Sequence, residues 1–159
     1  MRKEDVDVGR VSMYKDYFSL FKLKPQFSIN MQTLEQNYIA LQSNYHPDLF
    51  SLKLEKKLAL DTITEINKAY QTLKSSIKRA EYLLEIKGIT TNKNDINILE
   101  EIFNIQESNS IDLQNQILLS TKAMENAFSV EDFNEAAKQV VRLKYLKKIQ
   151  EDRSITSCN

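Results

Sequence analysis

Only four residues in this 159-residue chain break helices strongly: Gly9, Pro25, Pro47 and Gly88. A sheet protein turns every few residues and draws on glycine and proline for backbone angles that other residues resist. Sheet topology therefore has little support here. Between the breakers run long stretches of Leu, Ile, Lys, Glu and Gln, which lose little side-chain freedom in a helix. The expectation is an all-α protein, and a 42% hydrophobic content is enough for a packed core in one ordinary domain or two small ones.

The breakers and the apolar spacing divide the chain further. YKDYFSLFKL, residues 14–23, reads as one short amphipathic segment ended by Pro25. Ser28 or Asn30 can then cap a helix running to about Asn44, with Met31, Leu34, Tyr38, Leu41 and Tyr45 at helical spacing. Pro47 ends it, because proline lacks a donor and pushes His46 out of the helical region. A longer helix is expected from about Leu52 to Leu73, burying Leu54, Leu58, Ile63, Ile66, Ala69, Tyr70 and Leu73. Two such helices joined by a loop carrying HPD form an antiparallel hairpin with the loop at its tip. A short helix, IKRAEYLLEIKG, follows and stops at Gly88. TTNKND, residues 90–95, reads as a linker. Helices at about 95–106, 111–127 and 131–152 then predict a three-helix bundle. The last shows a capping signal in Ser129 and Asp132 and an apolar stripe of Phe133, Ala136, Ala137, Val140, Leu143 and Leu146.

Lys and Arg total 22 and so do Asp and Glu, which leaves no global field to gather nucleic acid or anionic membrane. The split is mild: 14 basic and 11 acidic residues in 1–88, and 8 and 11 in 89–159. No stretch approaches 18 continuous apolar residues, so no membrane span is expected. The opening MRKEDVDVGR mixes acidic with basic residues and has no apolar run, so no secretory or mitochondrial leader is read there. The single cysteine, Cys158, reads as an exposed tail thiol compatible with a reducing, cytoplasmic setting.

The usual catalytic sets are missing. One histidine cannot make a zinc site, and the chain has no glycine-rich phosphate loop, GxSxG turn or HExxH. Glu100 and Glu101 diverge as helix neighbours, and a solvated charged face explains them better than an acid–base pair. His46 could be a catalytic base, although it lacks an adjacent nucleophile and orienting group in sequence, a plain loop residue or a binding residue. Pro47 holds the chain between an imidazole and a carboxylate, leaving little conformational entropy to lose on binding. Lys53, Lys56 and Lys57 follow the loop and either form a solvated face or steer an acidic partner toward the tip. Residues 28–44 carry one charged side chain, Glu35, so no strongly basic docking face is visible there. Leu99, Ile102, Phe103 and Tyr145 read first as core, and as a partner surface if the fold leaves them exposed.

HPD at 46–48 in a helix hairpin, with Tyr45 before it, resembles the J-domain co-chaperones of DnaK-class ATPases. YFSLFKLKPQF (17–27), LQSNYHPDLF (41–50), INKAYQTLK (66–74) and RAEYLLEIKG (79–88) are similar to the J-domain of the HscB-type iron–sulfur co-chaperones. ILEEIFNIQE and VRLKYLKKI are similar to that family's C-terminal helical domain, so the resemblance covers nearly the whole chain. It implies an N-terminal J-domain, residues 13–88, and a C-terminal scaffold-binding helical domain, residues 94–154.

What the resemblance implies is a non-enzymatic co-chaperone without cofactor or metal. It would bind the iron–sulfur scaffold protein IscU, deliver it to a DnaK-like HscA ATPase and stimulate ATP hydrolysis there. His46, Pro47 and Asp48 match the family's stimulating motif, Asp48 meeting a cationic group on the ATPase. Leu99, Ile102, Phe103 and Tyr145 fall in the scaffold-binding region, Tyr145 where phenylalanine is usual. Acidic residues expected nearby are replaced by Phe103 and Gln106, so docking there should lean on apolar burial. The basic residues that often flank HPD are replaced by Asn44 and Leu49, so electrostatic steering toward the ATPase is expected to be weak. The alternative reading is a general J-domain adaptor that recruits a DnaK-class chaperone to another client.

Overall fold

The computed structural model describes residues 14–108 and 112–156. The N-terminal decapeptide, Met13 at the expected start of the first domain, residue 111 at an expected helix start and the thiol of Cys158 lie outside the described residues. Among the described residues every regular element is helical. They are α1 (Tyr17–Leu20), α2 (Met31–Asn44), one 3-10 turn (Pro47–Leu49), α3 (Lys53–Lys74), α4 (Ser76–Ile86), α5 (Ile96–Glu107), α6 (Leu113–Ser129) and α7 (Phe133–Thr156). Contacts divide the chain into two compact units, residues up to 78 and residues from 79 on. The division falls before the expected boundary at 88 because α4 is tied to α7. Lys144 donates to Glu81 at 2.6 Å, and the Lys87 ammonium lies 4.4 Å from the Phe133 ring centroid.

In the first unit, Asn30 rather than Ser28 caps α2, its side chain accepting from the Thr33 N–H at 3.0 Å. α2 and α3 pair in opposite directions. Tyr38 stacks on Tyr70 with ring centroids 3.9 Å apart, while Gln42, one turn on, donates to Asn67 at 2.6 Å. The Tyr38 hydroxyl donates to the same Asn67 oxygen at 2.9 Å, so two donors from α2 share one acceptor on α3. Phe21 meets Tyr70 edge-on, with Phe18, Leu34, Ile66 and Leu73 wholly buried around this seam.

That register corrects the expected core. With Tyr38 opposite Tyr70 and Gln42 opposite Asn67, α2 ends at a level near the middle of α3, and the first turns of α3 run past it. Leu54 and Leu58 lie to one side of the buried stripe and are 69% and 37% exposed, and Ile63 is half-buried, while Ala59, Thr62, Ile66, Ala69, Tyr70 and Leu73 form that stripe. On α2 only Leu34 is buried; Met31 is exposed and Tyr38, Leu41 and Tyr45 are half-buried.

In the second unit α6 and α7 are antiparallel: Ser120 donates to Gln139 and Arg142 reaches back to Gln116. α5 runs parallel to α7, because Glu101 meets Arg142 and the end of α5 meets Arg153. The core holds Ile98, Ile102 and Ile105 from α5, Ile117, Met124 and Ala127 from α6, and Ala136, Val140, Leu143 and Leu146 from α7. Each fully buried large aliphatic side chain contributes about 1.5–3 kcal/mol. Phe133, expected in this stripe, is half-buried at the first turn of α7. α7 begins two residues later than expected because its cap is Asp132, which accepts from the Glu135 N–H at 3.0 Å; Ser129 is the last residue of α6. Arg79 is buried in this unit; desolvation pulls its guanidinium below the usual value, and the Glu125 carboxylate opposes that.

Three helices end in the same way. After α4 the Ile89 N–H bonds the Leu84 carbonyl and the Gly88 N–H bonds that of Glu85, with Gly88 at φ 72°. After α1 the Leu23 and Lys22 N–H groups bond Phe18 and Ser19, with Lys22 at φ 54°. After α6 the Asp132 and Glu131 N–H groups bond Ala127 and Phe128, with Glu131 at φ 58°. This paired closure satisfies carbonyls the helix leaves open and requires a left-handed residue, for which glycine carries the least strain.

Candidate functional site

The tip of the hairpin is built by Pro47. The final hydrogen bond of α2 runs from the Tyr45 N–H to the Leu41 carbonyl at 3.1 Å. His46 then adopts φ −61° and ψ 129°, the extended conformation a residue before proline favours. Pro47 opens the 3-10 turn, at a position where its missing donor has no helical partner to serve. The turn closes with Leu49 and Phe50 N–H groups on the carbonyls of His46 and Pro47 at 3.0 and 3.2 Å.

The imidazole folds back onto its own turn. His46 Nδ1 accepts from the Asp48 N–H at 3.3 Å and lies 3.6 Å from the Asp48 carboxylate. That fixes the ring without burying it: the side chains of His46 and Asp48 are 58% and 87% exposed. Three adjacent residues thus present an imidazole edge and an almost fully solvated carboxylate on a proline-stiffened turn. Among the described residues the groups that meet the His46 ring are the N–H and carboxylate of Asp48 in its own turn, and no nucleophile is paired with it. Glu55 accepts from the Leu52 N–H at 3.4 Å where α3 begins.

The four residues expected at the scaffold surface separate. Leu99 and Phe103 lie one turn apart on α5 and are 38% and 63% exposed. Ile102, one turn from Leu99 but rotated toward the bundle, is 6% exposed and sits in the core with Ile98 and Ile105, so it does not share an exposed patch with Leu99 and Phe103. Tyr145 is half-buried, and its hydroxyl donates to the Lys93 carbonyl at 3.2 Å, a bond no phenylalanine could make. It lines a cleft of about 240 Å³ with Val141, Lys93, Lys144 and Lys148.

Sequence reasoning missed Ile96, which is 69% exposed and extends the Leu99–Phe103 face by one turn. The signal was present as i, i+3, i+7 spacing along α5. It also missed Arg142. This side chain reaches Glu101 through Nε and one terminal nitrogen, the shortest contact being 2.6 Å, and also reaches the Gln116 side chain at 2.7 Å. One guanidinium on α7 therefore holds both α5 and α6, and Glu101 is a structural partner rather than an acid. Arg153 bonds the carbonyls of Ile105 and Ser108 at 3.0 and 3.1 Å, fixing the far end of α5. Among the described residues no group of three or more His, Cys, Asp or Glu could hold a metal ion, and no helix is long and apolar enough to cross a membrane.

Residues 16–82 match the DnaJ domain family, and residues 96–153 match the HSCB C-terminal oligomerisation domain family. A co-chaperone protein HscB from Buchnera aphidicola subsp. Acyrthosiphon pisum is 31% identical, the match covering 86% of this chain and 91% of that protein. A co-chaperone protein HscB homolog from Burkholderia thailandensis is 37% identical over 99 residues, or 61% of this chain and 57% of that protein. Among solved structures, chaperone HscB from Vibrio cholerae superposes with a TM-score of 0.74 at 25% identity, covering 89% of this chain and 98% of that one. Human co-chaperone protein HscB superposes with a TM-score of 0.77 at 28% identity, covering 90% and 82%. With both halves of the chain matched in order, and the exposed His–Pro–Asp turn at the tip of the first, this chain belongs to the HscB family of co-chaperones.

Proposed function

We propose that this chain acts in iron–sulfur cluster assembly in the cytoplasm, binding a scaffold protein of the IscU type and delivering it to an HscA-type DnaK-class ATPase whose hydrolysis it stimulates. The observation that carries this reading is the tip of the α2–α3 hairpin in a member of the HscB family. There His46 and Asp48 are solvent-facing and held by Pro47, with side-chain exposures of 58% and 87%. Such a turn loses little entropy when a partner captures it, and a carboxylate so exposed is open to a charge-assisted contact with a cationic group.

Stimulation is assigned to His46, Pro47 and Asp48, and scaffold binding to the second unit. On that unit Leu99 and Phe103 supply the apolar contact, Ile96 extends it and Tyr145 contributes from α7. Ile102 acts beneath them as core. The chain itself performs no bond-making step in this scheme; it alters the rate of the ATPase and the location of the scaffold.

The test is single-turnover ATP hydrolysis by an HscA-type chaperone with the wild-type chain and with His46→Gln. The variant should keep its helical circular dichroism and its saturable binding to the scaffold while losing stimulation by at least about tenfold. Undiminished stimulation by His46→Gln rules the mechanism out. Stimulation without saturable scaffold binding would favour the general adaptor.

A further inference from the structure

The cleft beside Tyr145 lies within the second unit, between α4, the loop before α5 and the middle of α7. Three lysines line it, Lys93 from the loop and Lys144 and Lys148 one turn apart on α7, against one carboxylate, Glu81 on α4. That carboxylate is already engaged, since the Lys144 ammonium holds it at 2.6 Å. Lys93 and Lys148 have no carboxylate partner among the described residues. Asp95, two residues past Lys93, gives its side chain to the Asn97 N–H at the cap of α5. Buried Val141 and half-buried Tyr145 supply apolar wall between the cations.

This positive character is local. Residues 89–159 carry 8 basic and 11 acidic side chains, so the surface around the cleft repels anions that the cleft itself attracts. Charges act over only about 10 Å at ordinary salt, and the anion best placed to enter is one that a neighbouring contact carries in. Such a contact begins beside it. The Tyr145 hydroxyl bonds the Lys93 carbonyl, three residues before α5 opens at Ile96, where the exposed face of Ile96, Leu99 and Phe103 starts. The same bond ties the loop to α7 and keeps Lys93 at the cleft.

We infer that the cleft of Lys93, Lys148 and Tyr145 receives a carboxylate side chain of the scaffold protein, next to the apolar residues that meet Ile96, Leu99 and Phe103. The inference rests on the scaffold binding proposed above and adds a sign to it: the partner's segment is acidic near the start of α5 and apolar along the helix. Lys144 stays with Glu81 and braces α4 against α7, while the two unpaired ammoniums supply charge-assisted bonds beside an apolar wall. A scaffold carrying a cation at that place would be rejected.

The experiment titrates an IscU-type scaffold protein into the full chain by calorimetry, at low and at high salt. Five chains are compared: wild type, Lys93→Gln/Lys148→Gln, the same two lysines changed to Arg, Phe103→Ala, and Lys68→Gln/Lys122→Gln, which removes the same net charge from exposed positions outside the cleft. The Lys93/Lys148 Gln pair should bind about tenfold more weakly at low salt and within about twofold of wild type at high salt. Its thermal midpoint should match wild type, because neither lysine has a partner to lose. The Arg pair and the Lys68/Lys122 pair should bind as wild type does, and Phe103→Ala should weaken binding at both salt levels. Wild-type affinity in the Lys93/Lys148 Gln pair, with Phe103→Ala weakened, refutes the carboxylate site and leaves the proposed function standing. Tighter binding by that pair refutes the site as well, since it would put a cation of the scaffold there. An equal loss in the Lys68/Lys122 pair makes net charge the cause and refutes the cleft. No saturable binding to the wild-type chain refutes scaffold binding and the cleft together.

Discussion

The hairpin tip and the exposed face of α5 pose the same problem, how to hold side chains out toward another protein, and solve it at different ranges. At the tip the solution is local. Three consecutive residues carry the chemistry, Pro47 sets the bend, and the imidazole is fixed by a bond to the N–H two residues on. On α5 the solution is tertiary. Ile96, Leu99 and Phe103 face outward only because Ile98, Ile102 and Ile105 are drawn into the bundle, and because Arg142 and Arg153 hold the helix from α7. A local device should tolerate destabilisation of the rest of its unit better than a face whose orientation depends on packing.

The sharpest way to break this comparison uses two neighbours on α5. Ile102→Ala removes a buried side chain and should cost about 3 kcal/mol, the usual penalty of transfer plus cavity. Phe103→Ala removes an exposed ring and should leave stability within about 0.5 kcal/mol. Scaffold affinity should respond in the opposite order under native conditions. Phe103→Ala should weaken it by about tenfold, and Ile102→Ala should act only in proportion to unfolding. Urea denaturation of both variants, with a scaffold titration of each, checks the pair. Equal loss of stability would mean that Phe103 belongs to the core.

Arg142 sharpens the same point from the other helix. Replacing it with Met keeps the aliphatic stem and removes every bond to Glu101 and Gln116. The expected loss is about 2 kcal/mol, since charge-assisted bonds are worth more than neutral ones and Glu101 remains near water once released. Stimulation of the ATPase at saturating concentration should be unchanged, because the tip has no part in that network. A chevron or equilibrium melt together with the maximal ATPase rate separates the two effects. A variant as stable as wild type would show that the burial of Ile98, Ile102 and Ile105 alone sets α5 in place.

How much of this was legible in the sequence follows the same division. The helices, the bend at Pro47 and the stop at Gly88 could be read because each depends on residues within a turn of one another. The core of α3 could not, because which side of the helix is buried depends on the tertiary pairing of Tyr38 with Tyr70, and that pairing leaves Leu54 to one side while Ala59 is buried. Ile102 and Phe103 are adjacent in sequence and similar in hydrophobicity, and only the bundle assigns one inward and the other outward. The Glu101–Arg142 pair spans 41 residues, with nothing local in either partner to announce it.

The helix ends give the smallest effect and the most direct test of local reading. Gly88 was recognisable as a stop because glycine is the residue that suits a left-handed position; Lys22 and Glu131 occupy the same position in the same closure and carried no such mark. Nothing lies within 4 Å of a methyl group built on Gly88, so Gly88→Ala should cost only the backbone strain of φ 72°, about 1 kcal/mol. Glu131→Gly runs the exchange in reverse at φ 58°, in a closure with the same two bonds. Relief of strain there exceeds the entropy that glycine adds to the unfolded chain, so this variant should gain about 0.5 kcal/mol. Paired denaturation curves decide it. Opposite signs at the two sites mean that left-handed geometry alone sets the preference, whereas a loss at both would mean that the Glu131 side chain contributes to the end of α6 in a way its exposed position does not suggest.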